Sequence, residues 1–405
     1  MMKFRYVRNL FVFLALLSVV SLISFKIGRD SAGVVTNSNG DKLDLSLMWE
    51  VRDKLDQLFL EKDKLVDKNM EYGAIQGMVA ALGDPYTVFL PPTDNKSANE
   101  DLAGEFGGVG ISLGYKDKTL AVMSPLPKSP AEKAGIKAGD LILKITDKNN
   151  NVDKDTNDMS LDEAVSLIRG KIGTEVTLKM FREGGSEAYD VFFKRENIVV
   201  PGIELEWKEQ NGKKVAWVKL YKFTEKLFTE WPEKVVEISA RQSEIGKENF
   251  GGIILDLRNN PGGFLQASVL VASDFVKEGI IVTQESSDGS KQDYDVVGDM
   301  GNLLDEKLVV LINGGSASAS EILAGALRDY NRAKLVGEKS FGKGTVQLPE
   351  DFKDGSGLHI TIAKWLLPSG KNIHKEGVMP DVEVKSGDDL NVDLQLNKAL
   401  EIVLN

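Results

Sequence analysis

The sequence predicts an α/β protein: a layered core with a mostly parallel sheet, a small mixed domain ahead of it, an N-terminal helical segment and one transmembrane helix at the start. Three observations predict this. Short apolar runs, Gly251-Gly-Ile-Ile-Leu-Asp256-Leu and Lys307-Leu-Val-Val-Leu-Ile312, read as buried strands, and helical patterns over Phe264–Val276 and Ser320–Tyr330 follow them. Between Glu105 and Lys194, glycine turns, short helices and an alternating strand succeed one another in a different pattern. The first 29 residues are basic, then apolar, then basic again.

At the N-terminus, Lys3, Arg5 and Arg8 precede an uncharged, mostly apolar run from Asn9 to Phe25, closed by Lys26 and Arg29. A run of about 17 residues lies at the short end for a membrane-spanning helix. No small-x-small cleavage site stands out, so residues 1–29 are expected to be a cytoplasmic stub and an uncleaved anchor, with a cleaved signal as the alternative. The upstream positive charge keeps the stub inside and puts the remainder outside. Residues 30–104 continue as a polar linker, Asp30–Asp41, and a helical region. Leu47, Val51, Leu55, Leu58 and Phe59 recur at helical spacing within Leu43–Leu65, and a second helical stretch, Tyr72–Leu82, stops at Gly83-Asp-Pro85. Both could pack on the core or on a second copy of the chain, which leaves a homo-oligomer open.

Residues 105–194 open with Phe106-Gly-Gly-Val-Gly110-Ile, a glycine turn running into a strand. Ser129-Pro-Ala-Glu-Lys-Ala-Gly135 is a short helix with a glycine stop, and Gly139–Ile145 is a turn and strand. Ser160 and Glu163 form a capping box for a helix reaching Gly170, and Val176, Leu178 and Met180 alternate along Thr174–Phe181. This ordered set resembles a PDZ domain. The resemblance implies that the backbone N–H groups of Gly108, Val109, Gly110 and Ile111 receive a peptide's terminal carboxylate while the peptide adds as a strand. Arg169, at the end of the capped helix, is a regulatory candidate that could pass peptide occupancy to the core. Residues 195–372 hold the layered core, where Leu358, Ile360 and Ile362 alternate after Asp354-Gly-Ser-Gly357 as a hairpin arm, and residues 373–405 complete it.

Composition narrows the chemistry. A net charge of −11 over 405 residues, with no basic run in the soluble part, argues against nucleic acid as a partner. The chain has no cysteine, which excludes disulfides, thiolate metal sites and a thiol nucleophile. No metal or cofactor is expected: H-E-x-x-H is missing, and Asp147-Lys-Asn-Asn-Asn-Val152-Asp puts Val152 where an EF-hand needs glycine, so it reads as a solvated loop. With only His359 and His374 available, a serine nucleophile would draw its base from elsewhere, and a lysine serves if burial lowers its pKa.

Ser318 lies between the Leu308–Ile312 strand and a helix with Ile322, Leu323, Ala326 and Leu327 on one face, where free backbone N–H groups suit acyl transfer. By spacing alone Ser318 reads equally as the cap of that helix through Ser318-x-x-Glu321, and Ser316 and Ser320 compete for either role. Asn259-Asn-Pro-Gly262-Gly263, after another strand, reads as an oxyanion loop or as a tight turn. Gly337 to Lys343 matches G-x-x-x-x-G-K, but Gly344 stands where magnesium binding needs a hydroxyl and a strand follows, which argues against a nucleotide. Gln347 lies four residues beyond Lys343, roughly 13 Å away in an ideal strand, so contact requires a curled glycine loop.

These stretches, with Gly83-Asp-Pro-Tyr-Thr-Val-Phe-Leu-Pro and Leu255-Asp-Leu-Arg-Asn-Asn-Pro-Gly-Gly, resemble the carboxyl-terminal processing proteases, Ser-Lys peptidases with an embedded PDZ domain. The resemblance runs from about Leu43 to Val384. It implies a crotonase-like core, Ser318 as nucleophile, Lys343 as base, Gln347 orienting the lysine, and oxyanion donors from Ala319 and either Gly262 or Gly263. It further implies exported protein substrates recognised by their C-terminal tails, and a single-pass protein of the bacterial cytoplasmic membrane with its catalytic part outside. Two other readings compete: an anchored PDZ scaffold with a silent core, and a cytoplasmic acyl-CoA enzyme on the same fold.

Overall fold

The computed structural model describes residues 44–405 apart from 117–118, 127, 158, 183, 186, 200–201, 299 and 388–391. The expected anchor over 9–25 and the linker over 30–41 lie outside the described residues. Among those described, no helix is long and apolar enough to cross a membrane. The chain divides into two compact units at Met70. In the first, the expected amphipathic helix spans Ser46–Leu58, with Leu47, Val51 and Leu58 exposed.

The second unit is built on a six-stranded sheet in the order Ile203–Gln210, Lys213–Leu220, Phe250–Asp256, Leu308–Ile312, Lys334–Gly337 and Val382–Glu383. The first two strands form an antiparallel hairpin, and every later neighbour pairs parallel. A parallel sheet is covered on both faces, which explains the unbroken apolar runs of its central strands. Val215, Ile254, Val309, Leu311 and Val336 share one apolar cluster with Leu396, Ala399 and Leu400 of the C-terminal helix Leu394–Leu404. The alternate residues, among them Val218, Ile253, Leu255 and Val310, join the main core with side chains from the helices Leu227–Ile245, Leu265–Ser273 and Ala319–Asp329.

A second sheet runs Val88–Leu90, Gly357–Leu366, Ile280–Ser286, Lys291–Asp295, with Thr345–Asp351 also paired to Gly357–Leu366. The hairpin arm is therefore present, but its buried face is not the expected one. Leu358 and Ile360 are only half-buried and Ile362 is exposed, whereas Ala363 and Trp365 are buried. Only the second half of the strand reaches the main core, through Trp365.

The smaller domain has its own core, including Val109, Leu120, Ile142, Leu178 and Phe193. Its sheet runs Ile111–Lys116, Thr119–Pro125, Leu141–Asp147, Glu175–Phe181, Tyr189–Lys194, with Val152–Asp155 paired to Leu141–Asp147. Ser160 caps the helix Leu161–Ile168 by accepting from the Glu163 N–H at 3.2 Å. The chain enters and leaves through one ribbon, Glu105–Gly108 antiparallel to Glu196–Val199, which makes the domain an insertion.

Arg195 locks that exit. Its Nε donates to the Ile168 carbonyl (2.8 Å), and Nη1 to Thr174 Oγ1 (2.9 Å) and the Glu175 carbonyl (3.1 Å). Nη2 donates to the Leu167 carbonyl (3.0 Å) and pairs with Asp147 Oδ2 at 2.8 Å, both side chains being enclosed. Asp147 thus departs from the solvated loop expected of its neighbourhood, because it closes a buried strand and takes a buried cation. Burial works to raise the Asp147 carboxyl, but hydrogen bonds from Asn150 and Arg195 outweigh it and hold the group below the ordinary aspartate range. A depressed folded pKa means this contribution is present above the unfolded value of about 3.9 and is lost as acid takes the pH down through the folded one. Arg195→Met, which strands the Asp147 charge, is expected to destabilise the domain by about 3–5 kcal/mol in urea melts. Arg195→Lys should not restore it, because an ammonium cannot fork to these acceptors.

Candidate active site

Three adjacent parallel strands deliver the site. Phe250–Asp256, Leu308–Ile312 and Lys334–Gly337 are neighbours in the sheet, so their carboxyl ends set the Asn259–Gly263 loop, Ser318 and the loop to Lys343 side by side. Crevices outside the carboxyl ends of parallel strands are where such sheets bind ligands.

The three competing serines separate by their hydrogen bonds. Ser316 is buried and donates to the Leu257 carbonyl at 2.8 Å. Ser320 is buried and donates to the Asn260 carbonyl at 2.9 Å. Ser318 is half-buried; it stands in a capping-box arrangement with Glu321, but its hydroxyl makes no cap hydrogen bond within normal limits. The Glu321 N–H that a capping hydroxyl would take is instead bonded to the Ser318 carbonyl at 2.8 Å. Ser318 also has φ 53° and ψ −116°, a backbone conformation that non-glycine residues rarely adopt.

That conformation is held by Glu321, which the sequence reading had taken only as a cap partner. Its carboxylate is fully buried. Oε2 accepts from the N–H of Ser318 and of Lys343, each at 2.9 Å. Oε1 accepts from the Gly342 N–H at 2.7 Å and from Ser340 Oγ at 2.5 Å. One oxygen therefore bridges the backbone of the expected nucleophile and that of the expected base.

The two glycines of the Asn259–Gly263 loop differ in their hydrogen bonds. The Gly262 N–H is spent on Asn260 Oδ1 at 2.9 Å. Neither the Gly263 N–H nor the Ala319 N–H has an acceptor among the described residues, so these are the two free donors. Gly262 has φ +99°, and a Cβ there would come within 2.8 Å of the Ser318 Cβ, so only glycine lets the loop close on the serine. The loop is braced from behind: the Phe223 N–H donates to the Gly262 carbonyl (2.9 Å) and the Phe264 N–H to the Phe223 carbonyl (2.8 Å).

Burial lowers the Lys343 amine below the ordinary lysine range, while the Asp84 carboxylate pulls the other way. Its Nζ lies 5.0 Å from the centre of the Tyr86 ring. Burial first, and then the Lys343 charge, lowers the His359 imidazole. His374 meets the Tyr86 ring edge-on at 6.0 Å. His359 Nε2 and His374 Nδ1 are buried with no partner among the described residues. The sequence reading missed all four of these neighbours. Gly83-Asp-Pro-Tyr looked like a helix stop, and nothing local tied either histidine to the lysine. Gln347 is placed differently from the expected contact. A bulge separates it from Val346, and its amide nitrogen donates to Thr345 Oγ1 (2.9 Å) and Thr361 Oγ1 (3.2 Å), with no bond to Lys343 among the described residues.

In the inserted domain, Gly108 ends the entry strand opposite Glu196, Val109 is buried, and Gly110 turns at φ +75° into Ile111. Ile111–Lys116 is an edge strand, so one side is open to an added strand. Tyr115 Oη ties its far end to the Met159 carbonyl at 2.8 Å, just before the Leu161–Ile168 helix. Arg169 Nη1 donates to Asp101 Oδ1 at 2.8 Å, and its guanidinium lies 3.9 Å from the Phe106 ring centre. Asp101 and Lys222 line the same cavity of about 150 Å³, and Lys222 directly precedes Phe223, which braces the Asn259–Gly263 loop.

Residues 214–384 match the model of Peptidase family S41, and residues 100–180 match the PDZ domain. A "Probable CtpA-like serine protease" of Staphylococcus haemolyticus is 39% identical over 314 residues, covering 77% of this chain and 60% of that protein. A relative of the same description from Staphylococcus aureus is 40% identical over 312 residues, covering 77% and 59%. The chain thus spans about 60% of the length of these relatives. Among solved structures, the photosystem II D1 C-terminal processing protease aligns with a TM-score of 0.52 and 29% identity, over 89% of this chain and 96% of that one. The chain carries a Peptidase family S41 domain with a PDZ domain inserted ahead of it.

Proposed function

We propose that this chain is a serine endopeptidase in which Ser318 attacks the scissile carbonyl and Lys343 is the base. The observation that carries this reading is the bridge by Glu321 Oε2 between the backbones of Ser318 and Lys343. It is supported by an amine that burial favours in its neutral form and by two free backbone donors beside the serine.

The steps follow from those groups. Neutral Lys343 takes the Ser318 proton as Oγ bonds to the carbonyl carbon. The resulting oxyanion accepts from the N–H groups of Ala319 and Gly263. The lysine then gives its proton to the departing amine, and water, deprotonated in turn by Lys343, hydrolyses the acyl-enzyme. Gln347 fits an orienting role if its amide oxygen accepts from the ammonium, since its nitrogen is already engaged. The open edge at Ile111–Lys116 favours substrates captured by their C-terminal tails, with Gly108–Ile111 receiving the carboxylate. Arg169 fits a relay from the tail-binding domain through Asp101 and Lys222 to the oxyanion loop. The apolar run over 9–25 fits an anchor in a bacterial cytoplasmic membrane with the catalytic part outside; release of the full chain by a carbonate wash would remove that element.

Digestion of casein checks the dyad. Ser318→Ala and Lys343→Ala are expected to fall to background with unchanged melting, and retained cleavage in either refutes the assignment. Glu321→Gln presents an amide nitrogen to donors and should lose about 10- to 100-fold in kcat/KM. A protein substrate with and without an apolar tail checks recognition. Arg169→Ala should shrink the difference between them, and unchanged turnover of both removes the relay.

A further inference from the structure

We infer that Tyr86 is a positioning residue for the Ser318–Lys343 pair: its ring face holds the Lys343 ammonium formed when the amine takes the serine proton. The inference rests on the Ser-Lys reading above.

A base that is neutral before attack and cationic after it needs surroundings that tolerate both forms. A carboxylate in direct contact would hold the proton permanently, and a purely apolar wall would oppose its arrival. Among the described residues Lys343 forms no ion pair, and what faces its Nζ is the Tyr86 ring at 5.0 Å. Within about 6 Å an aromatic face attracts a cation through its quadrupole, yet it cannot take the proton away. Such a wall favours the charged form modestly, at the moment the tetrahedral intermediate requires it.

The ring is fixed in place. The Tyr86 N–H donates to Asp84 Oδ1 at 3.1 Å, and Thr87 Oγ1 donates to Asp84 Oδ2 at 2.7 Å. The Thr361 N–H donates to Thr87 Oγ1 at 3.0 Å, and Val88 pairs with His359 in the second sheet. His374 closes the ring edge at an interplanar angle of 69°. Burial, with the Glu321 and Asp84 carboxylates, pushes the Tyr86 phenol above its ordinary value, so the ring faces the lysine as a neutral group.

The charged and titratable groups around Lys343 are Asp84, from the turn that carries Tyr86, and His359, from the Gly357–Leu366 strand. His374 stands behind the ring, and Glu321 holds the Lys343 backbone. None of them changes in the test. It places phenylalanine at position 86 of the full chain, then phenylalanines with one, two and three ring fluorines, which weaken the quadrupole and keep the shape. The readout is the pH profile of kcat/KM on a fluorogenic peptide. Tyr86→Phe should leave the profile in place, because the face and not the hydroxyl acts. Added fluorine should destabilise the ammonium, moving the acid limb down by roughly one pH unit over the series and lowering the plateau several-fold. Tyr86→Leu should match the trifluorinated ring. A profile that stays flat over the series overturns the inference, as does loss of activity in Tyr86→Phe. Ser318→Ala run alongside keeps the two readings apart: an active variant removes the Ser-Lys reading, whereas an inactive one beside a flat series removes only the role of Tyr86.

Discussion

The buried carboxylate of Glu321 is the constraint on which the site depends. Enclosing a carboxylate is costly unless its lone pairs are filled, and here four donors fill them at 2.5–2.9 Å. Three are backbone N–H groups, so the charge fixes main chain, and side chains follow. The first turn of a helix also favours negative charge, which places the acid where it costs least. The same bonds hold the unusual backbone of Ser318 at φ 53° and ψ −116°. Backbone strain persists only where surrounding bonds outnumber it, and this arrangement meets that condition.

Around that acid the fold works by adjacency. Parallel pairing puts the ends of Phe250–Asp256, Leu308–Ile312 and Lys334–Gly337 in one row, so loops far apart in sequence meet without long excursions. Asn260 links two of them: its side chain bonds the Leu220 carbonyl (2.8 Å) and the Gly262 N–H (2.9 Å), while its carbonyl accepts from Ala317 and Ser320. The Asn259–Gly263 loop and the turn at Ser318 are thereby one hydrogen-bonded body. The second sheet brings a fourth piece from far upstream, since Val88–Leu90 pairs with Gly357–Leu366 and carries Tyr86 and Asp84 toward Lys343.

The inserted domain is tied to this body through polar groups and one stacked ring. Its ribbon ends in Arg195, whose donors are all used, and Arg169 reaches across to Asp101. Lys222 sits in the same cavity, lowered by burial against the pull of Asp101. Arg169 and Lys222 stand beside Asp101 and Glu105 around this cavity, and Lys226 pairs with Glu105 at 2.9 Å, so charged groups meet where the inserted domain joins the core.

The primary structure determined the layered α/β class, because runs covered on both faces must be apolar throughout, as at Ile253–Leu255 and Leu308–Ile312. It also determined the inserted domain, whose turns and capping box are local signals; lacking cysteine and having few histidines, it pointed to a serine with a lysine as base, and the family resemblance singled out Ser318. Which serine stands free, which glycine keeps its N–H, and the second task of Glu321 are questions of hydrogen-bond partners. Those partners lie far along the chain: Leu257 for Ser316, Asn260 for Ser320, and Lys343 for Glu321. The places of Tyr86, His359 and His374 around the lysine, and the bonds of the Gln347 amide nitrogen to Thr345 and Thr361, were decided by sheet pairing and a bulge. Spacing along a chain carries no record of such long-range register, so only the tertiary structure could decide them.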